Sequence, residues 1–216
     1  MFRMNRYNSI AVVALSAVLL LTHPAFSQSK SPVKDVNSVI SKAQEQVLKI
    51  LQNQNACSAW FQDTDPDAAE VFQSLRYELD GHGESEVYRM RDDLGEIRFK
   101  HPWAASAFEY AGKDSVVTLN NNGPFFKHDA RVRTMNAVGV LGSNENWHVQ
   151  TVGPYAGNTP EVRVLILLHE LGHIIGRIPA DDASWNGDSS RNTAEVLRHC
   201  RHEIQLTRQK AGYAKK

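Results

Sequence analysis

Leu167-Leu168-His169-Glu170-Leu171-Gly172-His173-Ile174-Ile175-Gly176 carries the pattern H-E-x-x-H inside an apolar run. On an α-helix, residues four apart share a face, one turn above the other. His169 and His173 therefore aim two imidazoles at one point, with Glu170 beside it. A helix that holds Zn²⁺ is built this way, its glutamate standing next to the attacking water. Chance alone would give the pattern in fewer than roughly one chain in a hundred of this length. An ordinary core helix would have to bury His, Glu and His together without a partner, which is costly.

The flanks support a buried helix. Val162, Leu165, Ile166, Leu168, Leu171, Ile174 and Ile175 make the segment apolar on most sides. Thr159 reads as the N-cap, Pro160 as the first helical residue and Glu161 as an acid in the first turn. Gly176 reads as the terminus.

The segment Val162 to Gly176 resembles the active-site helix of the zincin zinc metallopeptidases, and the wider chain is similar to secreted bacterial proteins that carry such a helix. The resemblance implies an α+β domain in which a small, twisted, mainly antiparallel sheet packs on a central active-site helix, with helices flanking it at both ends. It implies that the edge strand of that sheet pairs with extended peptide, and Val116 to Asn120 is the expected edge.

Arg3 and Arg6 precede a twelve-residue apolar stretch, Ile10 to Leu21, and Ala25-Phe26-Ser27 offers small residues for cleavage. Residues 1–27 therefore read as a signal peptide, and the stretch is short for an uncleaved membrane anchor. The expectation is a single domain over residues 28–216, secreted or periplasmic, with no stable membrane association after cleavage. Without Arg3 and Arg6, the balance of 24 basic and 24 acidic residues becomes slightly acidic. That balance points away from nucleic acid. Two cysteines in an exported chain favour a Cys57–Cys200 disulfide joining an early helix to the C-terminal one. The alternatives are Cys57 as a zinc ligand in a latent form, and Cys200 joining His199 and His202 in a metal cluster.

Gln28 to Lys34 reads as a flexible leader, and Val36, Ile40, Ala43, Val47 and Leu51 mark an amphipathic helix. Asp65-Pro66 starts a second helix, with Ala69, Phe72, Leu75 and Leu79 inward, ending at Gly81-His82-Gly83. Cys57, Trp60 and Phe61 lie between the two as core packing. Strands follow over Glu86–Met90, Glu96–Lys100 and Ser115–Leu119, with a weak one over Val138–Leu141. Trp147 and His148 read as loop. A long helix capped by Ser189 or Ser190 runs to about Lys210.

Catalytic zinc sites usually have three protein ligands. The metzincin spacing would put the third at Pro179, which has no donor, and no methionine follows Met135 to form that clan's Met-turn. Asp181 is the expected third ligand, reached by a two-residue extension of the turn after Gly176; Asp182 and Glu195 are the alternatives. Glu195 has the position of the downstream glutamate in thermolysin-like sites. Asn192 and Ser190 could orient the carboxylate or simply cap a helix.

The implied activity is hydrolysis of peptide bonds in a peptide or protein substrate, with Zn²⁺ as cofactor and Glu170 as general base. Tyr155, His199 and His202 are candidate donors to the oxyanion. The competing reading is a non-catalytic zinc-binding or protein-binding module with the same fold.

Overall fold

The computed structural model describes residues 32–81, 85–92, 95–135, 141–181 and 188–213. The expected signal peptide and Asp182 lie outside the described residues. In chain order the helices are α1 (Pro32–Gln52), α2 (Ala56–Gln62) and α3 (Ala68–Ser74). Nine strands follow: β1 (Arg76–Asp80), β2 (Ser85–Asp92), β3 (Gly95–Pro102), β4 (Ala105–Ala107), β5 (Val116–Asn120), β6 (Asp129–Met135), β7 (Leu141–Val149), β8 (Thr151–Val152) and β9 (Tyr155–Ala156). The chain closes with α4 (Pro160–Ile174) and α5 (Asp188–Tyr213). The class is α+β.

Helix α4 is the centre. Every residue from Val164 to Ile174 is buried, because α1, α5, β4 and the β8–β9 hairpin all pack against it. Thr159 caps its start, accepting from the Val162 amide at 3.3 Å, and Pro160 follows. At its other end Gly176 adopts φ +71°, and a side chain there would collide with the Tyr110 ring. The Tyr110 and Gly112 amides donate to the carbonyls of His173 and Ile174, so a loop from the sheet satisfies two of the terminal acceptors.

The strands form three sheets rather than the one expected. One has the order β1-β5-β4, the second β2-β3-β6-β7, and β8 pairs with β9. Every pairing except β1–β5 is antiparallel. Strand β5 is therefore central, flanked by β1 and β4, and Val116–Asn120 is not the edge. The edge next to α4 is the short strand β4. Val117 and Leu119 of β5 are fully buried, as a central strand demands.

Three further expectations are corrected. The α3 helix stops at Ser74, where Leu75 turns extended at ψ 140°, and Leu79 sits on β1 at 43% exposure instead of facing inward from a helix. Cys57, Trp60 and Phe61 occupy a helix of their own, α2, capped reciprocally by Asn55 and Ser58. The first helix begins at Pro32, inside the expected leader.

Cys57 and Cys200 form a disulfide with Cα atoms 4.5 Å apart, tying α2 to α5. Neither cysteine is therefore available to bind a metal, and the two cysteine-ligand alternatives fall away. Trp60 stacks on His199 of α5, with ring centroids 4.8 Å apart and planes 7° from parallel, and so reinforces the same junction. Among the described residues no helix is long and apolar enough to cross a membrane.

Candidate metal centre

Helical spacing turns His169 and His173 toward one another, with Nε2 atoms 2.9 Å apart. The third group comes from the segment after the helix. The Arg177 and Ile178 amides both donate to the Gly172 carbonyl, which folds the chain back along α4. Gly172 permits this, since a Cβ there would stand 2.9 Å from the buried Ile178 side chain. Pro179 then points its carbonyl at Asn192 Nδ2, 2.8 Å away, and two residues later Asp181 reaches the histidines. Asp181 Oδ2 is 3.0 Å from His169 Nε2, and Oδ1 is 3.5 Å from His173 Nε2. These three residues are the one such metal-capable group among the described residues.

The spacing suits a small tetrahedral cation. Ligands at ~2.0–2.1 Å from a tetrahedral Zn²⁺ stand about 3.3 Å from each other. The contacts here run from 2.9 to 3.5 Å. Two nitrogens and a carboxylate oxygen are also a donor set that zinc accepts, and they leave a fourth position open. The group therefore fits.

Helix α5 holds the ligands in place. Thr193 Oγ1 lies 3.2 Å from His169 Nδ1; with the hydroxyl accepting from Nδ1–H, the Nε2 lone pair is left facing the cluster. Asn192 Nδ2 donates to Asp181 Oδ1 at 2.7 Å as well as to the Pro179 carbonyl. Burial works against the Asp181 charge, but its close contacts with both imidazoles and the hydrogen bond from Asn192 outweigh it and hold the carboxyl well below its usual range. Burial likewise works to lower the pKa of His173, yet the Asp181 hydrogen bond and the charges of Glu170 and Asp181 leave it raised.

Glu170 is buried beside the cluster at 5% exposure, and its Oε2 has no hydrogen-bond partner. Burial raises its pKa, against the pull of His169 and His173. The residue lines a cavity of about 570 Å³ together with His169 and Asp181. Ligand clefts commonly span roughly 300–1,000 Å³.

Other sequence candidates are directed elsewhere. Glu195 pairs with Arg198 and stands 3.4 Å from His199, so it is spent on its own helix. His199 is taken up by Trp60, and His202 is exposed beside Glu203. The Tyr155 hydroxyl is buried without a hydrogen-bond partner, and that burial raises its pKa. None of the three proposed oxyanion donors lines the cavity.

His148 does line it, and the reading of that residue as a loop histidine is corrected. It sits on β7 directly opposite Ala130 of β6, which also lines the cavity, so register turns both toward the cleft. The signal for β7 was weak because Gly142-Ser143-Asn144-Glu145-Asn146 reads as turn chemistry. Thr193 was missed for a different reason: at the start of a helix, a threonine that holds a ligand looks like one that caps.

No protein-family model matches the chain, and comparison with curated proteins and with solved structures likewise returns no match.

Proposed function

We propose that the chain is a zinc-dependent peptidase of zincin type that works in an oxidising, extracytoplasmic compartment. The observation that carries the reading is the convergence of His169, His173 and Asp181 within hydrogen-bonding range of one another, with Glu170 adjacent and facing the same cavity. The buried disulfide supports the compartment.

His169, His173 and Asp181 would hold the metal. Bound there, Zn²⁺ would polarise the scissile carbonyl and acidify a water molecule. Glu170 accepts the proton of the attacking water and delivers it to the departing amine. The donor to the developing oxyanion is assigned to His148, because it lines the cavity and Tyr155, His199 and His202 do not. Asn192 and Thr193 fix the carboxylate and the imidazole, so that the ligands need not reorganise when the metal enters.

The decisive experiment is metal analysis with a peptide-hydrolysis assay on the purified chain. One zinc per chain and hydrolysis abolished by chelation, then restored by zinc, are expected. Zinc retained with no hydrolysis across a broad peptide library would favour a non-catalytic binding module. No zinc at all would sink the reading.

Asn192→Ala separates the positioning role from general stability. It should weaken zinc affinity about 10–100-fold, measured by competition with a chromogenic chelator. Unchanged affinity would show that the Asp181 carboxylate finds its place unaided.

A further inference from the structure

We infer that Arg177 is a positioning residue for the candidate metal centre: its guanidinium, held over the Trp60 ring, fixes the turn that brings Asp181 to the histidines. The inference rests on the reading of His169, His173 and Asp181 as metal ligands and is independent of the chemistry proposed for Glu170.

The three ligands are not held alike. His169 and His173 stand on α4, where the residues around them are all buried. Asp181 comes from an irregular segment, and its side chain is 33% exposed. Its place depends on how residues 176–181 are tied down. The backbone ties are the bonds from the Arg177 and Ile178 amides to the Gly172 carbonyl, at 2.8 and 3.3 Å, and the Ile178 side chain is buried in the core.

Arg177 adds a tie to a different part of the fold. Its Nη1 donates to Thr64 Oγ1 at 3.0 Å and to Asp63 Oδ2 at 3.3 Å. Its guanidinium carbon lies 4.8 Å from the centre of the Trp60 ring. Trp60 belongs to α2, and Asp63 is the residue that ends that helix. Helix α2 is in turn fastened to α5 by the Cys57–Cys200 disulfide and by the stacking of Trp60 on His199. At its far end the segment meets α5 directly, where Asn192 donates to the Pro179 carbonyl and to Asp181 Oδ1. The turn that carries Asp181 is thus referred to α5 at both ends, through Arg177 and α2 at one and through Asn192 at the other. Metal–ligand distances hold to within about 0.2 Å, so a small drift of this turn costs affinity.

The contacts of Arg177 are unequal. The Asp63 side chain is 74% exposed, and an ion pair at that exposure contributes little. The Arg177 side chain is 23% exposed and Trp60 is buried, so the cation–π contact is partly shielded from water. A guanidinium can sit over an aromatic face while its N–H groups donate to neighbours, whereas an ammonium is a compact, strongly hydrated charge. The ring and the Thr64 hydroxyl therefore carry the hold, and lysine cannot replace the arginine.

The test measures zinc affinity of the full chain by competition with a chromogenic chelator. It compares the wild type with Arg177→Ala, Arg177→Lys and Asp63→Asn, and repeats both Arg177 variants in an Asp181→Ala background. Arg177→Ala should weaken affinity about tenfold, the lower end of what removing a group behind a ligand costs. Arg177→Lys should lose at least about fivefold, and Asp63→Asn should stay within about twofold of the wild type. With Asp181→Ala in place, either Arg177 variant should change affinity by less than about twofold, because the ligand it positions is gone. Arg177→Lys keeps the stem and the charge, so the comparison stands even if Arg177→Ala does not fold.

Unchanged affinity in both Arg177 variants would overturn the inference while leaving the metal centre in place. An equal loss with and without Asp181 would overturn it as well, since it would mark a general loosening of the fold. Full retention by Arg177→Lys would overturn the part given to the Trp60 ring and leave only a charge. A wild type that holds no zinc would remove the ligand reading itself, and this inference with it.

Discussion

Glu170→Gln is expected to retain zinc at one per chain and to lose about 10²–10⁴-fold in kcat. The substitution keeps the shape of a side chain that is only 5% exposed, so packing around His169 and His173 is preserved. On the proposed mechanism it removes the group that takes the water's proton, and an amide cannot replace it. The loss should fall on kcat rather than KM, because no ground-state contact to the substrate's side chains is deleted. Folding stability should not fall, since a buried carboxylate with an unpartnered oxygen is replaced by a neutral group. Metal content by mass spectrometry and steady-state kinetics on a peptide that the wild type cleaves give the two readouts. Turnover equal to that of the wild type would remove Glu170 from the chemistry and leave the water to another base.

Loss of the disulfide is expected to have the largest effect on stability. Cys57 and Cys200 are 143 residues apart and both are fully buried. Closing so long a loop in the unfolded chain is worth about 5 kcal/mol in the chain-entropy picture, and native bridges typically contribute ~2–5 kcal/mol. Against a usual total of about 5–15 kcal/mol this is a large share. The Cys57→Ala/Cys200→Ala double variant should therefore show a clearly lower denaturation midpoint in urea. The seven-residue helix α2 should be affected first, since its capping box and the packing of Trp60 and Phe61 are then its remaining ties. A midpoint within error of the wild type would mean that packing alone fixes α2 on α5.

What could be read from the sequence is what local chemistry specifies. The centre of the fold announces itself at Thr159-Pro160 and ends at Gly176, since capping, a preset φ and a left-handed residue are all short-range demands. The pair Cys57–Cys200 followed from parity and compartment, and the structure contains that bond. Asp181 was reachable because only the short turn after Gly176 separates it from α4.

What failed was decided at long range. Leu79 continues the helical spacing of Phe72 and Leu75, yet pairing with Leu119 in a parallel ladder overrides it. The place of β5 between β1 and β4 is a property of strand order, and no feature of Val116–Asn120 states who its neighbours are. His148 became visible as a cavity residue only when β7 was set against β6. Thr193 acts across 24 positions on His169, a relation that helix-start preferences hide.

Helix α5 supplies Asn192 and Thr193 to the His169–His173–Asp181 cluster and Cys200 to the disulfide. All three positions follow His169, His173 and Asp181 in the sequence. The donors on α4 can be complete and still lack the two groups that orient them. Because the disulfide and the two orienting side chains share one helix, a reducing environment that frees α5 from α2 should also loosen the hold on His169 and Asp181.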